Sequence, residues 1–507
     1  MIKLHYHLAQ LIAPLFLLQV LSLGAQNAVK PTTPSGTTYP TKVLCDSLIG
    51  QPSGVRQRLS QYSELVRGRQ CVVLSADPTK DLAQLINGLP DDTVILLSSS
   101  TTTTMTPSPS VATVAGKTPV NYFVGSEILL KNGQDIIGAA DDGFEVVIMP
   151  DKSYSNRYML RVGDYVDFKF AETKDSNIRH ITFRDNSPEG HTLKRVNSIV
   201  YGECHNRRLI MENNVFHLTE SIGVRLECRG TLDASANNLR TGPGLLFANN
   251  AFKGESYSLI SNLDFIPLEA LAVSYPGIKH QSEKLTVIDN VFQGKISEVG
   301  HFTLGSGSRM NIFRNIIDVD NSGTTYHEWI MGHSAHKHGF ALAGLTDEYA
   351  DADADSDSDA EPPLFNVAGN RISVKNTAIN IDGELKLALP CNHLQAVKPW
   401  RQEQHKYSLI AIDPFPLAGD CKKPLRFHQR ATKPQSAFCK IVNTWTPTNG
   451  SPAGTISGLT NLEGQFYFNS ASCQTSTSTR ISAAIKGTTV TMTALGIMTT
   501  LALLLNL

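Results

Sequence analysis

Three groups of residues in this 507-residue chain carry side chains suited to chemistry. The first is a histidine-rich stretch, Tyr326-His327-Glu328-Trp329 and then Met331-Gly332-His333-Ser334-Ala335-His336-Lys337-His338. His333, His336 and His338 are close enough along the chain to share a metal ion, with His327 as a fourth donor. The His-Glu-x-x-His zinc motif is absent because position 331 is Met, and a solvated polar loop accounts for the same residues. The second group is an acidic run with Asp351, Asp353, Asp355, Asp357 and Asp359. Alternating aspartates can capture Ca²⁺ weakly, but the central Gly and terminal Glu of a calcium loop are missing, and like-charge blocks are usually solvated. The third is Arg225 and Arg229 with Glu203 and Glu227, which serve equally well as an ion-pair ladder across neighbouring strands.

These groups need a scaffold, and the scaffold signal is a repeat. Asparagines in similar settings stand at 186, 214, 238, 262, 290, 315 and 370, at spacings of 28, 24, 24, 28, 25 and 55. A period of this size marks stacked units that bury their apolar faces only against one another. Three places before each Asn stand Phe183, Met211, Ser235, Leu259, Val287, Ile312 and Val367. Five places before stand Ile181, Leu209, Asp233, Tyr257, Leu285, Met310 and Phe365. Alternate strand positions share a face, so both columns point inward, with lapses in the third copy. The Asn itself is expected at a sharp corner, in the left-handed backbone and hydrogen-bonded from coil to coil. The longest gap, Asn315 to Asn370, predicts one coil plus an insertion of ~30 residues at 322–361 that holds the His and acidic segments.

Other elements follow from local chemistry. Asp77 with Pro78 predicts a helix start, Leu82, Leu85 and Ile86 form its apolar stripe, and Gly88 ends it. Val55 to Val66 suits a short helix, and residues 98–119 read as a loop. Thr93–Leu97, Glu127–Leu130, Asp135–Gly138 and Glu145–Ile148 are short apolar runs separated by turn residues, as in strands. The eight cysteines form sequence-local candidate pairs: Cys45 with Cys71, Cys204 with Cys228, Cys391 with Cys421, and Cys439 with Cys473. Cys204 and Cys228 are one 24-residue repeat apart, and equivalent residues of stacked strands lie ~4.8 Å apart, within reach of a disulfide.

Short coils, an Asn corner, an Asn-x-Phe signature at 214–216, 250–252 and 290–292, and a helix ahead of the first strand resemble the right-handed parallel β-helix, or pectin-lyase-like, superfamily. The resemblance implies an all-β fold: a right-handed parallel β-helix solenoid over 76–390, an N-terminal helical cap and a disulfide-containing C-terminal region. The superfamily includes polysaccharide lyases, polygalacturonases, esterases, tailspikes and non-catalytic adhesins. A lyase on this fold needs acidic ligands for Ca²⁺ and an Arg or Lys base, for which Arg225 and Arg229 are the candidates. The polygalacturonase family carries Asn-x-Asp, Asp-Asp, Gly-His-Gly and Arg-x-Lys. Here Asn262-Leu263-Asp264 matches the first, Asp289-Asn290 breaks the second, Gly300-His301-Phe302 leaves the third incomplete, and the fourth is absent.

The ends of the chain speak to location. Residues 1–25 read as a secretory signal, with Lys3, an apolar run from Leu8 to Leu23, and small Gly24 and Ala25. Residues 26–75 are a linker and the first Cys-pair region, 391–475 a Cys-containing C-terminal cap, and 476–507 a polar spacer and hydrophobic tail. The uncharged tail suits surface attachment through a lipid-anchor signal or a short membrane anchor, or else a buried helix. The net charge of −1 gives no field that selects nucleic acid. The sequence therefore predicts a secreted or cell-surface protein that binds an extended polysaccharide or surface glycan in the manner of an adhesin. The alternative is a polysaccharide lyase or glycoside hydrolase acting on uronate-containing polymers, with Ca²⁺ as its ion.

Overall fold

The computed structural model describes residues 42–50, 53–101, 117–162, 174–187, 196–202, 209–227, 245–260, 263–275, 284–305, 308–331, 337–344, 363–382, 385–388, 392–396, 408–413 and 455–457. Strands dominate, stacked into sheets of 11, nine and ten strands, beside a small three-stranded sheet. Pairing within the three large sheets is parallel, except where Val43–Leu44 lies antiparallel to Gln70–Ala76. The chain visits the large sheets in rotation. Ser176–Arg179 lies in the first, Thr182–Arg184 in the second and Ser198–Gly202 in the third. Leu209–Glu212, Val215–Leu218 and Ile222–Glu227 then repeat the order, each pairing with its predecessor.

This arrangement gives one continuous core, because each strand turns alternate residues inward. Met211, Phe247, Val287, Ile312 and Val367 are register partners in succession, and all are fully buried. On the second sheet Phe183, Phe216, Phe252 and Phe292 stack with ring centroids 5.1, 4.6 and 4.9 Å apart. Near-parallel rings at this separation add to the free energy of their burial.

The asparagines mark the corner between the first two sheets, in a register that departs from the expected column between Asn186 and Asn290. The ladder is Asn214–Asn250–Asn290–Asn315–Asn370–Asn392, with steps of 36, 40, 25, 55 and 22 residues. Each Nδ2 donates to the next Oδ1 at 2.9–3.1 Å and to a main-chain carbonyl of the preceding strand. Asn238 and Asn262 lie outside the described residues, and Asn214 already has Asn250 as its neighbour. Asn186 is not a rung; Ile181 holds that place and donates its N–H to Asn214 Oδ1. The Asn-x-Phe signature therefore carried the true register between Asn214 and Asn290, where the 24- and 28-residue steps did not. Coil lengths vary through the connections, so a fixed period is the weaker guide.

The left-handed residue is also displaced by one. Asn213, Asn249, Asp289, Arg314 and Gly369, each just before a ladder Asn, have φ between 52° and 65°. The bend falls there, leaving the Asn side chain free to satisfy the turn.

At the N-terminal end, Cys45 and Cys71 form a disulfide. Helices Ser53–Gln61 and Ser63–Val66 fall where the sequence suggests. The helix expected to begin at Asp77 begins at Leu82 instead, capped by Asp81, whose carboxylate accepts from Ala83 N–H. Asp77 is held in its own turn by the N–H and hydroxyl of Thr79. Asn87 ends the helix and pairs through its side-chain amide with main-chain atoms of Glu127 and Leu129. That ties the helix to Ile128–Leu130, the terminal strand of the third sheet. The loop expected over 98–119 is shorter at both ends, since strands run over Thr93–Thr101 and Thr118–Val124. Among the described residues no helix is long and apolar enough to cross a membrane.

Candidate functional site

The third sheet carries a polar cluster that no coil-to-coil ladder explains. Glu269, Glu298 and His338 open the consecutive strands Glu269–Tyr275, Glu298–Leu304 and His338–Gly344. Glu269 and Glu298 are register partners. His301 stands in the middle of its strand between the register partners Ala272 and Ala341, whose short side chains leave room around the imidazole.

Glu298 and His301 are three residues apart, so a regular strand would put them on opposite faces. The alternation breaks at Val299 and Gly300, two consecutive inward residues, as it does at Ala270 and Leu271 and at Ala378 and Ile379 in nearby strands of the sheet. Val299 and Phe302 are both fully buried, and a Cβ at Gly300 would come within 2.6 Å of the Phe302 ring. Val299 and Gly300 both turn inward ahead of Phe302, so Glu298 and His301 meet on the outer side.

His301 Nδ1 lies 3.6 Å from Glu298 Oε1 and 3.9 Å from Glu269 Oε1. His338 Nδ1 is 3.7 Å from the same Glu298 oxygen. These separations are too long for hydrogen bonds, and Glu298 Oε1 is buried without a hydrogen-bond partner. One oxygen of each carboxylate and one nitrogen of His301 all fall within 4.8 Å of one another. The Glu298 side chain is 2% exposed, whereas His301 is 36% exposed and forms the open side of the cluster.

The electrostatics separate the two acids. Burial, then the neighbouring Glu298 carboxylate, push the Glu269 carboxyl up, against the pull of His301 and Arg225. Burial acts to raise Glu298 as well, but His301 and His338 more than offset it and hold that carboxyl below the usual range. Two carboxyls and two imidazoles in this arrangement can transfer protons or hold a divalent cation.

Of the residues singled out in the sequence, His301, His338 and Arg225 gather here. Arg225 sits one strand away as the register partner of Ala272, and its guanidinium is held by Glu227 at 2.6 Å. Tyr201 donates to the other Glu227 oxygen and stacks on Tyr158, ring centroids 4.0 Å apart.

Asp289 is elsewhere: it is a left-handed corner residue, paired with Arg314 through both oxygens at 2.8 and 2.7 Å. Asp264 lies in the strand Leu263–Ile266 of the small sheet. Arg229, His333, His336, Asp351, Asp353, Asp355, Cys204 and Cys228 lie outside the described residues.

The His-rich segment is split by the fold. Glu328 closes a capping box with Thr325 on the helix Tyr326–Met331, and it pairs with Lys337. His338 instead begins a regular strand of the third sheet, inside the span expected to be an insertion.

Glu269 and Glu298 escaped the sequence reading. Their one signal is an acid heading an apolar run in each case, Glu269-Ala-Leu-Ala-Val and Glu298-Val-Gly-His-Phe. No family model matches the chain, and no curated protein or solved structure matches it.

Proposed function

We propose that this is an exported right-handed parallel β-helix protein, capped by its N-terminal helices, that acts on an extended uronate-containing polysaccharide at the outer face of its third sheet. The observation that carries the reading is the convergence of Glu269, Glu298, His301 and His338 from three successive strands, with Arg225 one strand further on. A pure binding surface has no use for two acids, one of them fully buried, within reach of two imidazoles. A hydrolase needs a pair of carboxyls that transfer protons, and a lyase needs a base and a cation to meet the polymer's carboxylate. The leader-like residues 1–25 and the apolar tail support export and surface attachment.

A second reading, binding alone, is favoured by one specific feature. Tyr158 and Tyr201 stack on the same sheet, with Arg161 and Arg225 the register partners on either side of Tyr201. An aromatic pair flanked by guanidinium groups suits a sugar ring bearing a carboxylate.

The test is incubation of the purified chain with a panel of uronate-containing polysaccharides, with and without divalent cations, following unsaturated-product absorbance and reducing ends. Cleavage that disappears in Glu298→Gln and His301→Ala supports the enzyme. Retention of the polymer without cleavage returns the protein to the binding class, and neither result for any polymer sinks both readings.

A further inference from the structure

We propose that Glu269, Glu298 and His301, with His338 as the fourth donor, form a site for a divalent transition-metal ion of the zinc class. The inference rests on the cluster identified above as the functional centre, but it needs no substrate. The distances carry it first. Three donor pairs stand at 3.6, 3.7 and 3.9 Å, beyond hydrogen-bond length. Two donors sharing a tetrahedral ion at about 2.0–2.1 Å each are about 3.4 Å apart. The cluster is therefore open by a few tenths of an ångström relative to a filled site, and small rotamer changes close it.

The second observation is Glu298 Oε1. It is buried, accepts no hydrogen bond, and points between two imidazoles. An orphan carboxylate oxygen at this depth is costly, and a cation satisfies it. The third is charge. Glu269 and Glu298 are register partners on neighbouring strands, and like charges directly opposite repel unless a proton or a cation lies between them.

Donor chemistry selects the ion. Ca²⁺ and Mg²⁺ take oxygen ligands, and two of the four donors here are imidazole nitrogens. Two carboxylates and two imidazoles suit Zn²⁺ and its first-row neighbours. The 36% exposure of His301 leaves the ion approachable from solvent on that side.

The experiment uses the full purified chain, stripped with chelator and dialysed. Zn²⁺ is titrated calorimetrically, and Co²⁺ is added in parallel to read its visible d–d bands. The expected result is one tight equivalent of Zn²⁺ and Co²⁺ bands of a low-coordinate site, unaffected by about a hundredfold excess of Ca²⁺. Glu298→Gln and His301→Ala should each weaken Zn²⁺ by at least about a hundredfold, and His338→Ala by about tenfold. Asp289→Asn, at the distant corner, should leave the affinity unchanged. Thermal unfolding of the same proteins keeps the result interpretable. Zn²⁺ should raise the midpoint of the wild type but not of Glu298→Gln, whose midpoint without metal should match or exceed that of the wild type.

Absence of a stoichiometric equivalent in the folded wild type overturns the site, as does uptake that survives the Glu298→Gln, His301→Ala double variant or displacement by Ca²⁺. Zinc bound with no polymer cleaved leaves the site standing and removes the enzyme. Cleavage by metal-free protein does the reverse.

Discussion

Two sets of polar side chains run from coil to coil in this molecule, and they are opposites. The asparagine ladder is buried and saturated. Each rung donates and accepts, so every amide is matched by its neighbour and by the main chain of the turn. The Glu269–Glu298–His301–His338 cluster is as deeply placed at Glu298, yet its donor pairs stand 3.6–3.9 Å apart and an oxygen goes without a hydrogen bond. Saturation is what a polar group needs for a purely structural role, because the alternative is an unpaid desolvation cost. Incomplete saturation in an otherwise well-packed sheet points to a partner from outside the chain.

The comparison predicts unequal responses to mutation. Asn290→Ala should be the most damaging single change. Asn290 accepts from Asn250 N–H and Nδ2, and donates to Phe247 O and Asn315 Oδ1. Truncation strands a buried N–H and a buried carbonyl and opens a void, for a loss of about 3–5 kcal/mol. Urea unfolding at neutral pH measures it, and a loss below about 1 kcal/mol would show that the ladder is dispensable.

Glu298→Gln, equally buried, should do the reverse. It removes the repulsion with Glu269 and the orphan anion, so stability should stay within about 1 kcal/mol of wild type or rise. Polymer cleavage should fall by about a hundredfold or more, because the charge that the site depends on is gone. A variant that unfolds while retaining cleavage would place Glu298 with the asparagines.

The same contrast explains what the sequence could disclose. The ladder was legible because its chemistry repeats: Asn-x-Phe at 214, 250 and 290 is a local pattern set by the corner and by the phenylalanine stack beneath it. In five of the seven copies, those at Asn186, Asn214, Asn290, Asn315 and Asn370, both expected inward residues lie in the observed core, and the lapses at Asp233 and Ser235 fall outside the described residues. Coil length was illegible because steps range from 22 to 55 residues, and nothing in the strands constrains the connections between them.

The site was nearly silent for a different reason. It is made of residues that occur once, from strands that share no motif. Their meeting depends on a register between Glu269 and Glu298 and on the break in alternation at Val299 and Gly300, which neighbouring strands share. His301 and His338 were visible as histidines, but their partners were two unremarked glutamates.

A histidine on the structural side sharpens the distinction. His180 occupies the left-handed corner just before the place where the ladder ends at Ile181, with φ of 56°. Its Nε2 is 2.5 Å from the Tyr62 hydroxyl. Burial, then Arg58, Arg179 and Lys117, lower its pKa to about 3, so it stays neutral in the fold. The unfolded chain binds a proton near pH 6.5 and the folded chain does not. The stability tied to this histidine is therefore complete above pH 6.5 and is lost as pH falls from there toward 3. Asn tolerates the same backbone, so His180→Asn should lie within about 1 kcal/mol of wild type at pH 7.5. At pH 5 it should gain about 2 kcal/mol relative to wild type. Unfolding curves at the two pH values decide it, and an unchanged difference would mean that His180 titrates normally.

The smallest expected effect tests whether any coil-to-coil polar contact matters merely by being one. Arg314 and Asp289 form a two-pronged ion pair between successive corners, but the Arg314 side chain is 52% exposed, so water competes for both charges. Such a pair contributes about 0.2–1 kcal/mol. Arg314 also holds a left-handed backbone at φ 52°, where a side chain costs about 1–2 kcal/mol and glycine almost nothing. The next corner in the stack uses Gly369 at φ 65° for the same bend. Arg314→Gly should therefore be neutral or stabilising by up to about 1 kcal/mol, with no change in ladder geometry or in metal affinity. A destabilisation beyond about 1 kcal/mol would show that exposed rungs also hold the stack, and that saturation alone does not separate structural polar groups from functional ones.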